Sequence, residues 1–232
     1  MRIVPFFIIL FSSYSWATNT ICYIGDSQSA SAGETESLFQ NIQPTLEHYG
    51  TFESGMAVCG AGIGSYLGYD MTGCHYAGVT HLNITKDSAK VVSGSGRTTN
   101  ISNLMPPADT VIIQLGDNNL GETASASGLA KELVTKILSA GKKCIWISPA
   151  SIGGARCASH RKEKGEMSAA LEAAIKSTEI NGQHCAFINS FELTDSNPPM
   201  SQDPECLHYS GIYPQWSNAI LPSLTKALQG LD

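Results

Sequence analysis

Short apolar runs rich in β-branched residues recur along this chain and are separated by stretches with helical periodicity. That alternation constrains the fold more than any other feature. Strands are expected at Ile21–Ile24, at Thr51–Val58, at Asp109–Leu115 around Val111-Ile112-Ile113, at Lys143–Ser148 and at Cys185–Asn189. Between them, Ala124–Ala140 places Leu129, Leu133, Ile137 and Leu138 on one helical face and ends at Gly141, the expected C-cap. Lys162–Ser177 and Gly211–Leu228 read as further helices. Ser37–His48 reads as another, with apolar residues at 38, 39, 42 and 46. Pro44 predicts that this helix kinks or ends early. Strands that are apolar throughout suit a parallel sheet covered on both faces. Right-handed crossovers then favour a single-domain α/β fold, a doubly wound, flavodoxin-like parallel sheet of five strands. No internal repeat or linker divides the chain.

The first residues do not fit this pattern. Arg2, the apolar run Val4–Phe11 and Ser15-Trp16-Ala17 form a charged start, a greasy core and a small-x-small cleavage site. Residues 1–17 are therefore read as a signal peptide and residues 18–232 as the mature domain. The apolar run is too short to span a bilayer, and Asn19-Thr20-Ile21 before Cys22 is no lipoprotein cleavage box. A secreted or periplasmic protein without stable membrane insertion is expected. The net charge is −6 and the basic residues are scattered, so a nucleic-acid partner is not expected. Seven cysteines in an exported chain point to disulfides, with at least one thiol left over. They include no close CxxC pair, so no metal site and no cofactor are expected.

Residues 66–108 show no clean periodicity and close at Pro106-Pro107. A loop of that length inside a compact domain is functional or hides further elements. His75, Tyr76, His81 and Arg97 lie in it and are candidates for lining a substrate cleft. Those two histidines, like the ones at 48, 160 and 184, otherwise read as surface or packing residues.

In a parallel α/β sheet, ligands gather beyond the carboxyl ends of the strands. The residues just past each expected strand are therefore informative. Gly25-Asp26-Ser27 comes after the first, and Cys59-Gly60-Ala61-Gly62-Ile63-Gly64 after the second. Gly116-Asp117-Asn118-Asn119 comes after the third, Pro149–Cys157 after the fourth, and Asp203-Pro204-Glu205-Cys206-Leu207-His208 lies downstream of the fifth. A serine, glycine-rich backbone, an asparagine, acids and a histidine converge on one rim. That set suits acyl transfer, which needs a nucleophile, a base, an orienting carboxylate and oxyanion donors. Taken alone, Ser27 could merely cap the adjoining helix and Asn118 could be an ordinary turn residue. Asp26 is expected to fix the turn through backbone hydrogen bonds.

These residues carry a resemblance to the SGNH/GDSL-type serine hydrolases. "GDSQS" resembles the first sequence block of that family, and the resemblance implies that Ser27 is the nucleophile. "LGDNN" stands in place of the third block, Gly-x-Asn-Asp, with Gly116 and Asn118 retained and Asn119 where Asp is usual. "ECLH" stands in place of the Asp-x-x-His block, with His208 retained as the implied base and Glu205 at the acid position. Glu205 is the preferred acid and Asp203, five residues before the histidine, the alternative. The resemblance further implies an oxyanion hole made by the Ser27 amide, a block-two glycine (Gly60, Gly62 or Gly64) and the Asn118 side chain.

The expected sheet also suggests disulfide pairs. Cys144 and Cys185 open neighbouring parallel strands, Cys157 and Cys206 lie in loops at the opposite end, and Cys59 and Cys74 flank the block-two loop. The expected bridges are 59–74, 144–185 and 157–206, leaving Cys22 buried and free. By resemblance and compartment, the expected activity is hydrolysis of small acyl esters, acetyl groups on cell-wall or other polysaccharides in particular, by a monomer. The alternatives are a lipase, lysophospholipase or thioesterase on the same scaffold, and a catalytically silent carbohydrate-binding protein.

Overall fold

The computed structural model describes residues 19–30, 36–69, 80–86, 88–94, 96–200, 203, 206–209 and 211–230. The signal peptide expected over residues 1–17, and Cys74, His75, Tyr76 and Glu205, lie outside the described residues. In chain order the elements are β1 (Asn19–Gly25), α1 (Ser27–Ala30), α2 (Leu38–Tyr49), β2 (Gly50–Val58), β3 (Thr80–Thr85) and β4 (Ser88–Ser93). Then come α3 (Ile101–Leu104), β5 (Thr110–Gln114), α4 (Thr123–Ser139), β6 (Lys143–Ile147) and α5 (Ala158–Lys176). A small hairpin, β7 (Glu179–Ile180) and β8 (Gln183–His184), precedes β9 (Ala186–Ile188), α6 (Ser190–Asp195) and α7 (Tyr213–Gln229).

The main sheet runs β4-β3-β2-β1-β5-β6-β9. β2, β1, β5, β6 and β9 are parallel, in the doubly wound order expected from the sequence. The expected count of five strands is corrected to seven, because β3 and β4 add an antiparallel hairpin at the β2 edge. This hairpin comes from the stretch without legible periodicity. Only β3 buries an alternating face, through Leu82 and Ile84, while Lys90, Val91 and Val92 of β4 are exposed. His81 belongs to the hairpin as well: its Nδ1 lies 3.0 Å from the Gly94 carbonyl.

Side chains of the parallel strands alternate cleanly between two cores. Ile21, Tyr23, Ile112, Ile145 and Ile147 pack with Leu38, Phe39, Ile42 and Leu46 of α2 and with Trp216, Ile220 and Leu224 of α7. Cys22, Ile24, Val111, Ile113, Cys144 and Trp146 pack on the other side with Leu133, Val134 and Ile137 of α4 and with Met167, Leu171 and Ile175 of α5. The result is a three-layer sandwich.

Of the two outcomes the sequence predicts for Pro44, an early end to α2 does not occur. The helix starts at Ser37, whose hydroxyl accepts the Gln40 N–H, and continues to Tyr49. Pro44 sits on its exposed face. An interior proline costs about 3 kcal/mol, whereas burying Leu38, Phe39, Ile42 and Leu46 contributes about 1.5–3 kcal/mol each. Burial wins.

Two disulfides join described residues. Cys144–Cys185 ties β6 to the residue before β9, and Cys157–Cys206 ties the start of α5 to the segment carrying His208. Cys59 is also disulfide-bonded. Cys22 is a free, buried thiol, and burial pushes it up to about 12. Among the described residues, no helix is long and apolar enough to cross a membrane.

Candidate active site

The strand order reverses between β1 and β5. The chain steps outward from β1 to β2 in one direction and from β5 through β6 to β9 in the other. Such a reversal leaves a crevice beyond the carboxyl ends of the two central strands. Ser27 comes directly after β1, and Asp117–Asn119 after β5.

The turn at Ser27 is tightly specified. Asp26 does the capping: its Oδ1 accepts the Gln28 N–H at 2.9 Å, and its carbonyl accepts those of Ser29 and Ala30, both at 3.1 Å. The Ser27 hydroxyl is thus not consumed as a cap. Gly25 is required by close approach, because a Cβ there would lie 2.6 Å from Ser29 Oγ. The Ser29 hydroxyl donates to Gln114 Oε1 at 2.7 Å and lies 2.7 Å from Tyr23 Oη, so the turn is tied to both central strands.

His208 reaches this turn from the far end of the chain. Its Nε2 lies 3.2 Å from Ser27 Oγ, across a sequence separation of 181. Asp203 Oδ2 lies 3.7 Å from His208 Nδ1 and accepts the backbone N–H groups of Leu207 and His208 at 2.9 and 2.8 Å. The sequence favoured Glu205 over Asp203 as the partner of the imidazole. The structure brings Asp203 to the ring, and Glu205 lies outside the described residues. Gln28, next to the serine, donates from Nε2 to the Leu207 carbonyl at 2.9 Å and accepts the Tyr213 hydroxyl at 2.9 Å. Sequence reasoning missed this clamp. Its only signal was a polar residue immediately after Ser27.

The candidate oxyanion donors separate on their hydrogen bonds. The Gly62 N–H already donates to Ser65 Oγ at 3.1 Å. Among the described residues, the N–H groups of Ser27 and Gly60 have no such acceptor. Gly60 is exposed with φ +76°. Asn118 donates one Nδ2 hydrogen to the Ala61 carbonyl at 3.1 Å, which fixes the amide and leaves its second hydrogen for another acceptor. Asn119, where the family resemblance expects Asp, accepts the Ile63 N–H at 3.0 Å and so braces the block-two loop. Gly116 carries φ +135°, and a Cβ there would lie 3.0 Å from Leu171 and Pro149. Glycine is what lets the strand turn at this point.

A buried charge cluster below these turns had no sequence signal. Lys164, on α5, has no exposed surface and is ion-paired with Asp117, whose side chain is 5% exposed. The ammonium also stands 4.5 Å from the centroid of the Tyr209 ring. Tyr209 Oη donates to the Ala150 carbonyl at 2.6 Å. Burial, and then the Asp117 charge, push the Asp26 carboxyl well above the usual carboxylate range. The same causes hold the Tyr209 phenol in its neutral form. Lys164 lies in an amphipathic helix with many charged residues, which is why its burial is not legible from sequence. Among the described residues, no group of His, Cys, Asp and Glu could hold a metal ion.

No protein-family model and no curated protein matches the chain. Solved structures do. A carbohydrate esterase family 3 protein from Talaromyces cellulolyticus is 11% identical, with 92% of this chain and 100% of that chain covered and a TM-score of 0.59. The psychrotrophic esterase EstA from Pseudoalteromonas sp. is 15% identical, with 91% and 99% covered and a TM-score of 0.55. Axe2, an acetylxylan esterase from Geobacillus stearothermophilus studied as a catalytic mutant, is 11% identical, with 90% and 94% covered and a TM-score of 0.56. At these identities the likeness establishes the fold: the chain has the three-layer α/β architecture implied by its resemblance to SGNH/GDSL-type hydrolases.

Proposed function

We propose that this chain is an exported serine esterase that hydrolyses small acyl esters, acetyl groups on a polysaccharide being the substrate class. The observation that carries the reading is the 3.2 Å approach of His208 Nε2 to Ser27 Oγ. A nucleophile and its base within hydrogen-bond reach is what covalent catalysis by a serine requires. Ser27 attacks the ester carbonyl while His208 Nε2 takes its proton. The tetrahedral oxyanion is held by the Ser27 and Gly60 amides and the free Asn118 hydrogen. Collapse expels the alcohol, which receives the proton from His208. Water then repeats the sequence on the acyl-enzyme and releases the acid. Asp203 holds the imidazole tautomer and stabilises the imidazolium, as the carboxylate does in serine triads generally. Acetylated carbohydrate is favoured because structural neighbours include a carbohydrate esterase and an acetylxylan esterase. The N-terminal signal-like segment and the disulfides fit an oxidising compartment outside the cytoplasm.

The test is turnover of p-nitrophenyl esters from acetate to palmitate by the wild type and by Ser27→Ala. Fast acetate hydrolysis that Ser27→Ala abolishes is expected. Equal slow rates in both proteins would transfer the chain to a binding role. Activity rising toward palmitate would transfer it to the lipases.

A further inference from the structure

We propose that Lys164 is a positioning residue for the reaction: its buried ammonium locks the turn carrying Asn118 to the segment carrying His208. The inference rests on the esterase reading above. The ammonium is ion-paired with Asp117, the residue immediately before the Asn118 oxyanion donor. It also faces the ring of Tyr209, the residue immediately after His208, at 4.5 Å. Tyr209 Oη reaches Ala150 in the loop after β6 and lies 3.4 Å from Asp117 Oδ1. One cation thus touches the chain neighbours of both the oxyanion donor and the base.

Stability alone is a poor explanation for this arrangement. Burying two charges costs desolvation that their attraction only partly repays, and apolar replacements of buried pairs are often neutral or stabilising. Asp117 Oδ2 and Asp26 Oδ2 are buried without a hydrogen-bond partner among the described residues. The Lys164 ammonium offsets the Asp117 carboxylate with which it is ion-paired. Without Lys164, the Asp117 carboxylate would stand uncompensated beneath the turn that must accommodate an oxyanion.

The deciding variant is Lys164→Met/Asp117→Asn, which removes both charges at nearly constant volume. A displaced oxyanion donor acts in the transition state and not in ester binding, so kcat on p-nitrophenyl acetate should fall about tenfold or more while KM stays within about twofold. Lys164→Met alone should fall further, because the Asp117 charge remains. Wild-type kcat in the double variant overturns the proposal, and so does a loss confined to KM. If circular dichroism shows the double variant unfolded, Lys164→Gln, which removes the ammonium and its hold on both segments, takes its place with the same expected fall and the same overturning results. The two readings fail separately. A wild type without Ser27-dependent turnover overturns both, whereas an active wild type with an equally active double variant overturns only the role of Lys164.

Discussion

Removing the Cys157–Cys206 bridge should cost this protein both stability and turnover, while removing Cys144–Cys185 should cost stability alone. The bridges span sequence separations of 49 and 41 residues. In the chain-entropy account, loops of those lengths each contribute about 4 kcal/mol. For a domain of this size that corresponds to a melting temperature lower by roughly 8–16 °C in either Cys→Ala pair. Turnover should separate them. Cys206 stands two residues before His208 and three after Asp203, and its backbone holds φ +60°, a left-handed conformation that non-glycine residues adopt only when the surroundings enforce it. The 144–185 bridge lies at the opposite end of the sheet, where β6 and β9 begin. Misplacing a reacting group by about 1 Å can cost about 10²-fold in rate. The assay is thermal melting of Cys157→Ala/Cys206→Ala and Cys144→Ala/Cys185→Ala, then kcat on p-nitrophenyl acetate at a temperature where both are folded. Equal melting losses with kcat reduced only in the first variant are expected. If the first variant kept wild-type kcat, or if both lost kcat equally, the reasoning would be refuted.

The geometry sets three further outcomes. Asp203→Asn should lower kcat by about 10²–10⁴-fold with Glu205→Gln near wild type, and the reverse pattern in the same steady-state assay would return the acid role to Glu205. Asp26 holds its proton above the ordinary range in the folded state, so its contribution to stability is complete below about pH 4 and is lost as pH rises through its folded pKa. Asp26→Asn keeps an acceptor for the Gln28 N–H and should flatten the decline in melting temperature as pH rises above about 4; an unchanged slope would exclude Asp26 as its source. Gly116→Ala meets both a positive φ and the 3.0 Å contacts with Leu171 and Pro149, and should lose about 2 kcal/mol or more in urea denaturation.

What the sequence made legible is what depends on local periodicity. The parallel strands carry runs of apolar, largely β-branched residues such as Val111–Ile113 and Cys144–Ile147, and the helices α2, α4 and α7 carry apolar faces, so their places and order could be read. The hairpin β3–β4 could not, because β4 lies on the sheet edge with no buried side chain to mark it. Ser27, Asn118 and His208 could be singled out as candidates because each comes after a readable strand or matches a sequence block. Lys164 and Gln28 were not, since nothing local distinguishes a buried lysine or glutamine from a solvated one. Pro44 misled because a local rule was weighed without the core that α2 covers.

The loop before His208 shows how a carboxylate at a longer spacing reaches the imidazole. The three-residue spacing to His208 favours Glu205, which lies outside the described residues, whereas Asp203, five residues away, stands beside the ring. A compact turn makes up the difference. The Cys206 N–H donates to the Asp203 carbonyl at 3.2 Å, and Cys206 adopts φ +60°. The chain then doubles back, so that the Leu207 and His208 N–H groups both fall on Asp203 Oδ2. Consecutive residues outside the loop hold this turn: Arg156 donates to the Asp203 carbonyl at 3.1 Å, and Cys157 is bonded to Cys206. Gln28 holds its other end at Leu207. A carboxylate already satisfied by two backbone donors is held in place before any proton moves, so the ring meets a fixed partner. The same features that bring Asp203 beside the ring make its position depend on a covalent link, which is why oxidation of Cys157 and Cys206 should matter to turnover as well as to the fold.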